Sequence, residues 1–173
     1  MNFLTRCSFL FGLSLPLIPL AAFYSGHFHL VAILPLLLFP LLDFIVGPRY
    51  SRPTPEQAAQ LEQSVYFPLI TMLYVPLQLA VQIWGAWMVC QPEVPTDIRI
   101  GLALSIGYAS GAVGITTAHE LGHKKSAFER TLAKILLTSV SYGHFYIEHN
   151  RGHHVRVGTV DDPATARRDE NIY

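Results

Sequence analysis

Between Arg6 and Asp43 the chain contains no Asp, Glu, Lys or Arg. A helix crossing roughly 30 Å of hydrocarbon needs about 20 apolar residues, because each adds about 1.5 Å of rise. This stretch is long enough for two crossings, and Ser25-Gly26-His27 interrupts it midway. Hydrocarbon offers the backbone no hydrogen-bond partner, so helices are the expected element. The expected spans are about 7–24 and 28–47, joined as an antiparallel hairpin. Pro16, Pro19, Pro35 and Pro40 should bend them, which a bundle tolerates when neighbours re-satisfy the freed carbonyls. A cleaved signal peptide is the competing reading of the first 25 residues, on Arg6, the apolar run and Ala21-Ala22. The second apolar segment that follows at once favours a retained hairpin.

The rest of the composition agrees with a membrane chain. Charged residues are 14% of the 173 and hydrophobic residues 51%, against about 25% charged in an ordinary soluble domain. Mean hydropathy is +0.34. Twelve Lys and Arg balance twelve Asp and Glu, which argues against nucleic acid, whose binding rests on clustered positive charge. Cys7 and Cys90 form no CxxC and no thiolate metal site.

Beyond the hairpin, Thr54-Pro55-Glu56-Gln57 has the form of a capping box with proline at the first helical position. It should open a surface helix leading into a third span, about 65–89, whose Trp84 and Trp87 suit an interfacial aromatic belt. A short link containing Pro92 and Pro95 precedes a fourth span, about 98–118. There Gly107-x-x-x-Gly111 offers either a close-packing face or simple tolerance of glycine. Arg6, Arg49, Arg52, Lys124, Lys125, Arg130 and Lys134 fall on one side of this four-span arrangement. Basic residues mark the cytoplasmic side, so the segment after span four is expected in the cytoplasm. The expected fold is an all-α integral-membrane bundle of about four transmembrane helices, with a half-buried cytoplasmic helix. The chain reads as one membrane domain, 1–173.

Six of the eight histidines lie between His119 and His154. His27 and His29, in the hairpin link, read as interfacial residues. In His119-Glu120-Leu121-Gly122-His123-Lys124 (119–124), two imidazoles four apart share a helix face. Alone, HExxH fits a zinc protease with Glu120 as general base, or two solvated histidines. A second box, Glu148-His149-Asn150-Arg151-Gly152-His153-His154 (148–154), follows a helix opened by Ser126-Ala127-Phe128-Glu129, another capping-box pattern. His149 and His153 are again four apart, whereas adjacent His153 and His154 point about 100° apart on a helix and suit two neighbouring ions. Gly152 leaves room for another helix or for the metal. His119, His123, His149, His153 and His154 are the candidate metal ligands, more than a three-ligand catalytic zinc needs. Imidazole donors without cysteine suit iron among the redox metals, though also zinc, copper and nickel. His144 falls outside both patterns and reads as a supporting residue. No catalytic residue is assigned.

At these boxes the sequence resembles the membrane-bound alkane hydroxylases, the integral-membrane non-haem di-iron monooxygenases. HELGHKK (His119 to Lys125) and EHNRGHH (Glu148 to His154) match the family's first two histidine boxes. Tyr142-Gly143-His144-Phe145 and Asp162-Pro163-Ala164 match its flanking sequence. The resemblance implies terminal hydroxylation of an n-alkane to a 1-alkanol at two non-haem irons in the bacterial inner membrane. The implied reagents are dioxygen and electrons from rubredoxin, reduced by an NAD(P)H-dependent reductase. It makes the five boxed histidines metal ligands, and Glu120, Glu148 and Asp162 acidic neighbours that hold ligand N–H groups. The family pattern continues with further histidine motifs, which these residues do not contain. The chain is therefore expected to be an N-terminal portion of a longer enzyme, incompletely ligated at the second iron and inactive alone. The alternatives are a histidine-box fatty-acid desaturase or hydroxylase, a membrane HExxH zinc protease, and a non-enzymatic metal-sequestering or structural membrane protein.

Overall fold

The computed structural model describes residues 3–26, 40–41, 44–45, 47 and 54–171. Span 28–47 falls almost entirely outside the described residues, as do His27 and His29. All regular elements among the described residues are helical. The chain divides into two compact units, Met1–Gly114 and Ile115–Tyr173.

In the first unit the leading apolar stretch is not one straight span. Helix α1 (Phe3–Ser14) passes through a 3-10 turn, Leu15–Leu17, into α2 (Ile18–Ser25). The prolines explain the break. Proline lacks an N–H and clashes with the preceding turn of a helix; Pro16 takes the tight turn, and Pro19 sits in the first turn of α2, where a missing donor costs nothing. Gly26 ends α2 in the left-handed region at φ 72°, donating its N–H to Ala22 and Phe23 carbonyls.

Helix α3 (Pro55–Glu62) begins as expected, with a complete capping box. Thr54 N–H donates to Gln57 Oε1 at 3.1 Å, and Gln57 N–H to Thr54 Oγ1 at 3.3 Å. Among the described residues, two helical stretches are long and apolar enough to cross a membrane, Tyr66–Val89 and Thr96–Gly122. The first is helix α4. The second comprises α5 (Thr96–Ala109), a π-helical segment Ser110–Gly114, and α6 (Ile115–Gly122). In the link between them, Arg99 donates to the carbonyls of Gln91 (2.7 Å), Val94 (2.8 Å) and Pro92 (3.3 Å).

The core of this unit forms where Ala22 and Leu102 meet Ile18, Phe23, Trp84, Met88, Val89, Ile98 and Ile106. The two tryptophans therefore part company. Trp84 packs edge-on against Phe23, with centroids 5.3 Å apart, while Trp87 is 60% exposed. Among the described residues, a Cβ at Gly107 or Gly111 meets nothing within 4 Å, so neither is a packing notch there. The close approach occurs one turn later. At Gly114 a Cβ would lie 2.3 Å from Gln78 Oε1. Tyr74, Gln78 and Gln82 follow at four-residue intervals on α4, and Gln82 donates to Ser110 Oγ at 3.0 Å.

In the second unit, α6 packs on α7 (Ala127–Ser139) through Ala118, Leu121, Ala133, Leu136 and Leu137, all buried. Ser126 occupies the N-cap of α7 in an extended conformation, but its side chain caps nothing. Arg130 instead reaches back to the carbonyls of Lys124 (3.2 Å) and Lys125. The expected helix toward residue 147 breaks at Val140, where Ser141 turns to φ 59° and Tyr142 N–H returns to the Leu137 carbonyl at 2.8 Å. This is a helix-ending turn of the kind a left-handed residue permits. The chain restarts as α8 (Phe145–Ile147), widens into a π-helical segment Glu148–His153, and closes with α9 (His154–Arg156).

Candidate metal centre

Helix α6 presents His119 and His123 one turn apart, as four-residue spacing requires. The segment Glu148–His153 presents the second box against them. Four ring nitrogens converge: His119 Nε2 lies 2.7 Å from His149 Nε2, His123 Nε2 lies 3.1 Å from His119 and 3.2 Å from His149, and His154 Nε2 lies 2.9 Å from His149. The candidate ligand atoms of His119, His123, His149 and His154 all fall within 4.8 Å of one another.

His153 does not join this group. In an α-helix His149 and His153 would share a face. A π-helix instead bonds residues five apart, and the His154 N–H indeed returns to the His149 carbonyl. That wider turn brings His154 onto the cluster. His153 lies beside it, its ring 5.5 Å from that of His149 and tilted by 23°. Its Nδ1 bonds the Asp162 carboxylate at 2.9 and 3.0 Å. Gly152 is also differently used from the expected metal clearance: a Cβ there would come within 3.0 Å of Pro163 Cγ, so the glycine admits the Asp162 loop.

Hydrogen bonding alone cannot account for the cluster. A neutral imidazole Nε2 is either an N–H donor or a lone-pair acceptor, and in the cation it is a donor. His119, His123 and His149 form a closed triangle. With two kinds of nitrogen at three corners, one edge must join two of a kind. A shared cation removes the conflict, because all three lone pairs then point inward. With metal–nitrogen bonds of about 2.0–2.1 Å, neighbouring donors stand ~3.0 Å apart on an octahedron and ~3.4 Å on a tetrahedron. The four 2.7–3.2 Å separations are of the order that donors sharing one ion would need. The all-imidazole donor set fits a transition-metal ion.

Electrostatics act in the same direction. Desolvation, and then the neighbouring His119, His154, His123 and His153, push the His149 pKa down to about 4. Desolvation also lowers that of His123, with His119 and His154 adding to it. Both rings thus keep the neutral form that a metal requires. The Asp162 side chain is fully buried. Burial works to raise its pKa, but hydrogen bonds from Thr165, Ala164, His153 and Gly158 outweigh it and hold the carboxyl well below the usual carboxylate range.

The surroundings are aromatic. Tyr142 stacks on Phe145 with centroids 5.0 Å apart, and Phe145 on His149 at 4.8 Å. A cavity of about 200 Å³ opens along this stack, lined also by Glu148, His153, Pro163 and Ala164. His144 is exposed and touches the Tyr142 ring edge-on, away from the cluster contacts. Glu120 pairs with Lys124, its Oε1 at 2.5 Å from Nζ.

Comparison with known proteins shows what the chain is similar to. Over 150 residues, 87% of its length, the chain is 45% identical to alkane 1-monooxygenase 1 of Alcanivorax borkumensis. It is 46% identical over 136 residues (79% of the chain) to the alkane 1-monooxygenase of Pseudomonas putida, and 47% identical over 135 residues (78%) to that of Ectopseudomonas oleovorans. The chain is a relative of the alkane 1-monooxygenases. It spans about a third of the length of these curated relatives: 37%, 34% and 33% respectively. The fatty acid desaturase family model matches residues 98–173, which include both boxes.

Of the five boxed histidines, His119, His123, His149 and His154 are brought together, and His153 stands beside them. The Asp162 hub had a local signal: Asp-Pro-Ala favours a turn in which the aspartate accepts from the backbone two residues on, and Ala164 N–H donates to Asp162 Oδ1 at 2.9 Å. The stack of Phe145 on His149, four residues apart, had only that spacing to announce it.

Proposed function

We propose that this chain forms the metal-binding part of a membrane monooxygenase that hydroxylates the terminal carbon of an n-alkane, giving a 1-alkanol. The observation that carries the reading is the convergence of imidazoles from both boxes, in a chain 45–47% identical to alkane 1-monooxygenases. His119, His123, His149 and His154 would hold one iron, with His153 offered to a second. Bound iron would supply the reductive activation of dioxygen, with electrons delivered by rubredoxin from an NAD(P)H-dependent reductase. The protein's part is to keep His149 and His123 neutral, to orient His153 through Asp162, and to wall the site with Tyr142 and Phe145. Such a wall excludes water and suits an apolar chain end.

A four-span arrangement in the inner membrane, with the boxes facing the cytoplasm, fits this reading. Lys124, Lys125, Arg130 and Lys134 would lie on the basic side. Arg99, the exception on the other side, is occupied by three carbonyls of its own link.

The match to the fatty acid desaturase family supports a second reading, oxidation of an acyl chain at the same centre. A zinc protease is disfavoured by the Glu120–Lys124 pair and by four converging imidazoles where a catalytic zinc uses three protein ligands. The deciding experiment supplies octane, hexadecane and fatty acids to membranes carrying the protein and its electron donors, alongside metal analysis of the purified protein. With the family's remaining histidine motifs supplied in the same protein, terminal alkanols and about two irons per chain are expected. Unsaturated or hydroxylated acids would move the assignment to the second reading, and zinc alone would defeat both.

A further inference from the structure

The Asp162 carboxylate is set by its own loop as well as by His153. Its side chain is fully buried. Gly158 N–H donates to Oδ2 at 3.2 Å, Ala164 N–H to Oδ1 at 2.9 Å, and Thr165 Oγ1–H to Oδ2. The Gly158 backbone is in the left-handed region at φ 76°, which favours glycine there. Pro163, next in sequence, seats against Gly152 inside the second box. The loop therefore delivers an acceptor in a fixed orientation to the back of His153.

With the Gly158 N–H and Thr165 hydroxyl aimed at Oδ2 and the Ala164 N–H at Oδ1, the Asp162 side chain is placed as an acceptor at both oxygens. His153 Nδ1, 2.9 Å from Oδ1, faces that acceptor as a donor, and Nε2 on the far side of the ring is left to offer a lone pair. That ring lines the cavity with Glu148 and His149 and stands 5.4 Å from His154, outside the four-imidazole group. We propose that Asp162 is a positioning residue that locks His153 in the Nδ1–H tautomer, so that its Nε2 serves a metal position beside the four-imidazole cluster. This rests on the proposed function, and it names the loop residue on which the fifth imidazole depends.

Asparagine is a sharp probe. Donors reach both carboxylate oxygens, so an amide NH2 at either place meets Ala164 N–H or Gly158 N–H. If the NH2 faces His153, it rewards the opposite tautomer, with the proton on Nε2. The loss of such an outer carboxylate typically weakens metal binding about 10- to 100-fold.

The test uses 15N-histidine-labelled protein in its membrane, metal-free and zinc-loaded, with metal affinity measured in parallel. The wild type should show a His153 Nδ1–H signal. Asp162→Asn should lose it and weaken the more loosely held ion about 10- to 100-fold, whereas Asp162→Glu should restore much of both. His153→Ala should weaken the same ion equally, and adding Asp162→Asn to it should cost nothing more. Thr165→Val, which keeps the carboxylate, should leave the tautomer unchanged. An unchanged tautomer and affinity in Asp162→Asn overturns the inference, as does a loss that adds fully to that of His153→Ala. A wild type that binds no metal overturns the proposed function instead; the His153 signal in the metal-free protein then tests the carboxylate's hold by itself.

Discussion

His119 and His149, thirty residues apart in the chain, meet Nε2 to Nε2 at 2.7 Å. His149 also contacts His123 and His154, so it is the shared corner of the cluster. His149→Ala is expected to remove at least ten times more metal affinity than His144→Ala, whose ring lies outside the group. Metal per chain after dialysis against a weak chelator measures this. Equal retention in the two variants would show that the convergence does not bind a metal.

Acid should strip the metal later than an ordinary imidazole site. His149 faces His119, His123, His153 and His154, and its pKa falls to about 4 from an ordinary value of 6.5. A lowered value means protons compete less, so the ring stays available as pH drops below about 6.5. Retained metal, followed from pH 7.5 to 4, should show its midpoint below 6.5. In the metal-free protein the unfolded chain takes up the proton first, so His149 contributes stability above about pH 6.5 that is lost progressively as pH falls toward 4.

Gly114→Ala should destabilise the first unit by about 1–3 kcal/mol, the usual range for overpacking, because the new methyl would collide with the Gln78 amide. Gly107→Ala meets open space among the described residues and should be neutral. Thermal unfolding in detergent compares the two. A Gly107→Ala loss as large as that of Gly114→Ala would point to a packing face against another molecule.

Glu120→Gln breaks an ion pair with Lys124 that is largely solvent-exposed. Exposed pairs contribute ~0–1 kcal/mol, so metal content and stability should change little. Loss of a peptide-cleaving activity in this variant would revive the protease reading.

Much of this arrangement was legible from residue order. The Thr54 cap, the helix Tyr66–Val89 and the His119–His123 pair follow from local chemistry and spacing. What was not legible depends on how chain segments meet. The bend at Pro16 and Pro19 follows a rule, yet its effect on span length needed the 3-10 turn. Ser126-Ala127-Phe128-Glu129 looked like a capping box, but the Ser126 side chain makes no cap bond, and the turn before α7 is held from its carbonyl side by Arg130. That His154 rather than His153 comes nearest His149 was not legible, because helix width is not written in a spacing pattern.

The wide turn at Glu148–His153 makes the second box sensitive to residue count. Deleting one residue there would tighten the coil, swing His154 off the cluster and bring a different side chain round in its place. The box thus tolerates substitution at its solvent-facing positions far better than any change in length, and protein engineers who shorten it would be rewiring the ligands.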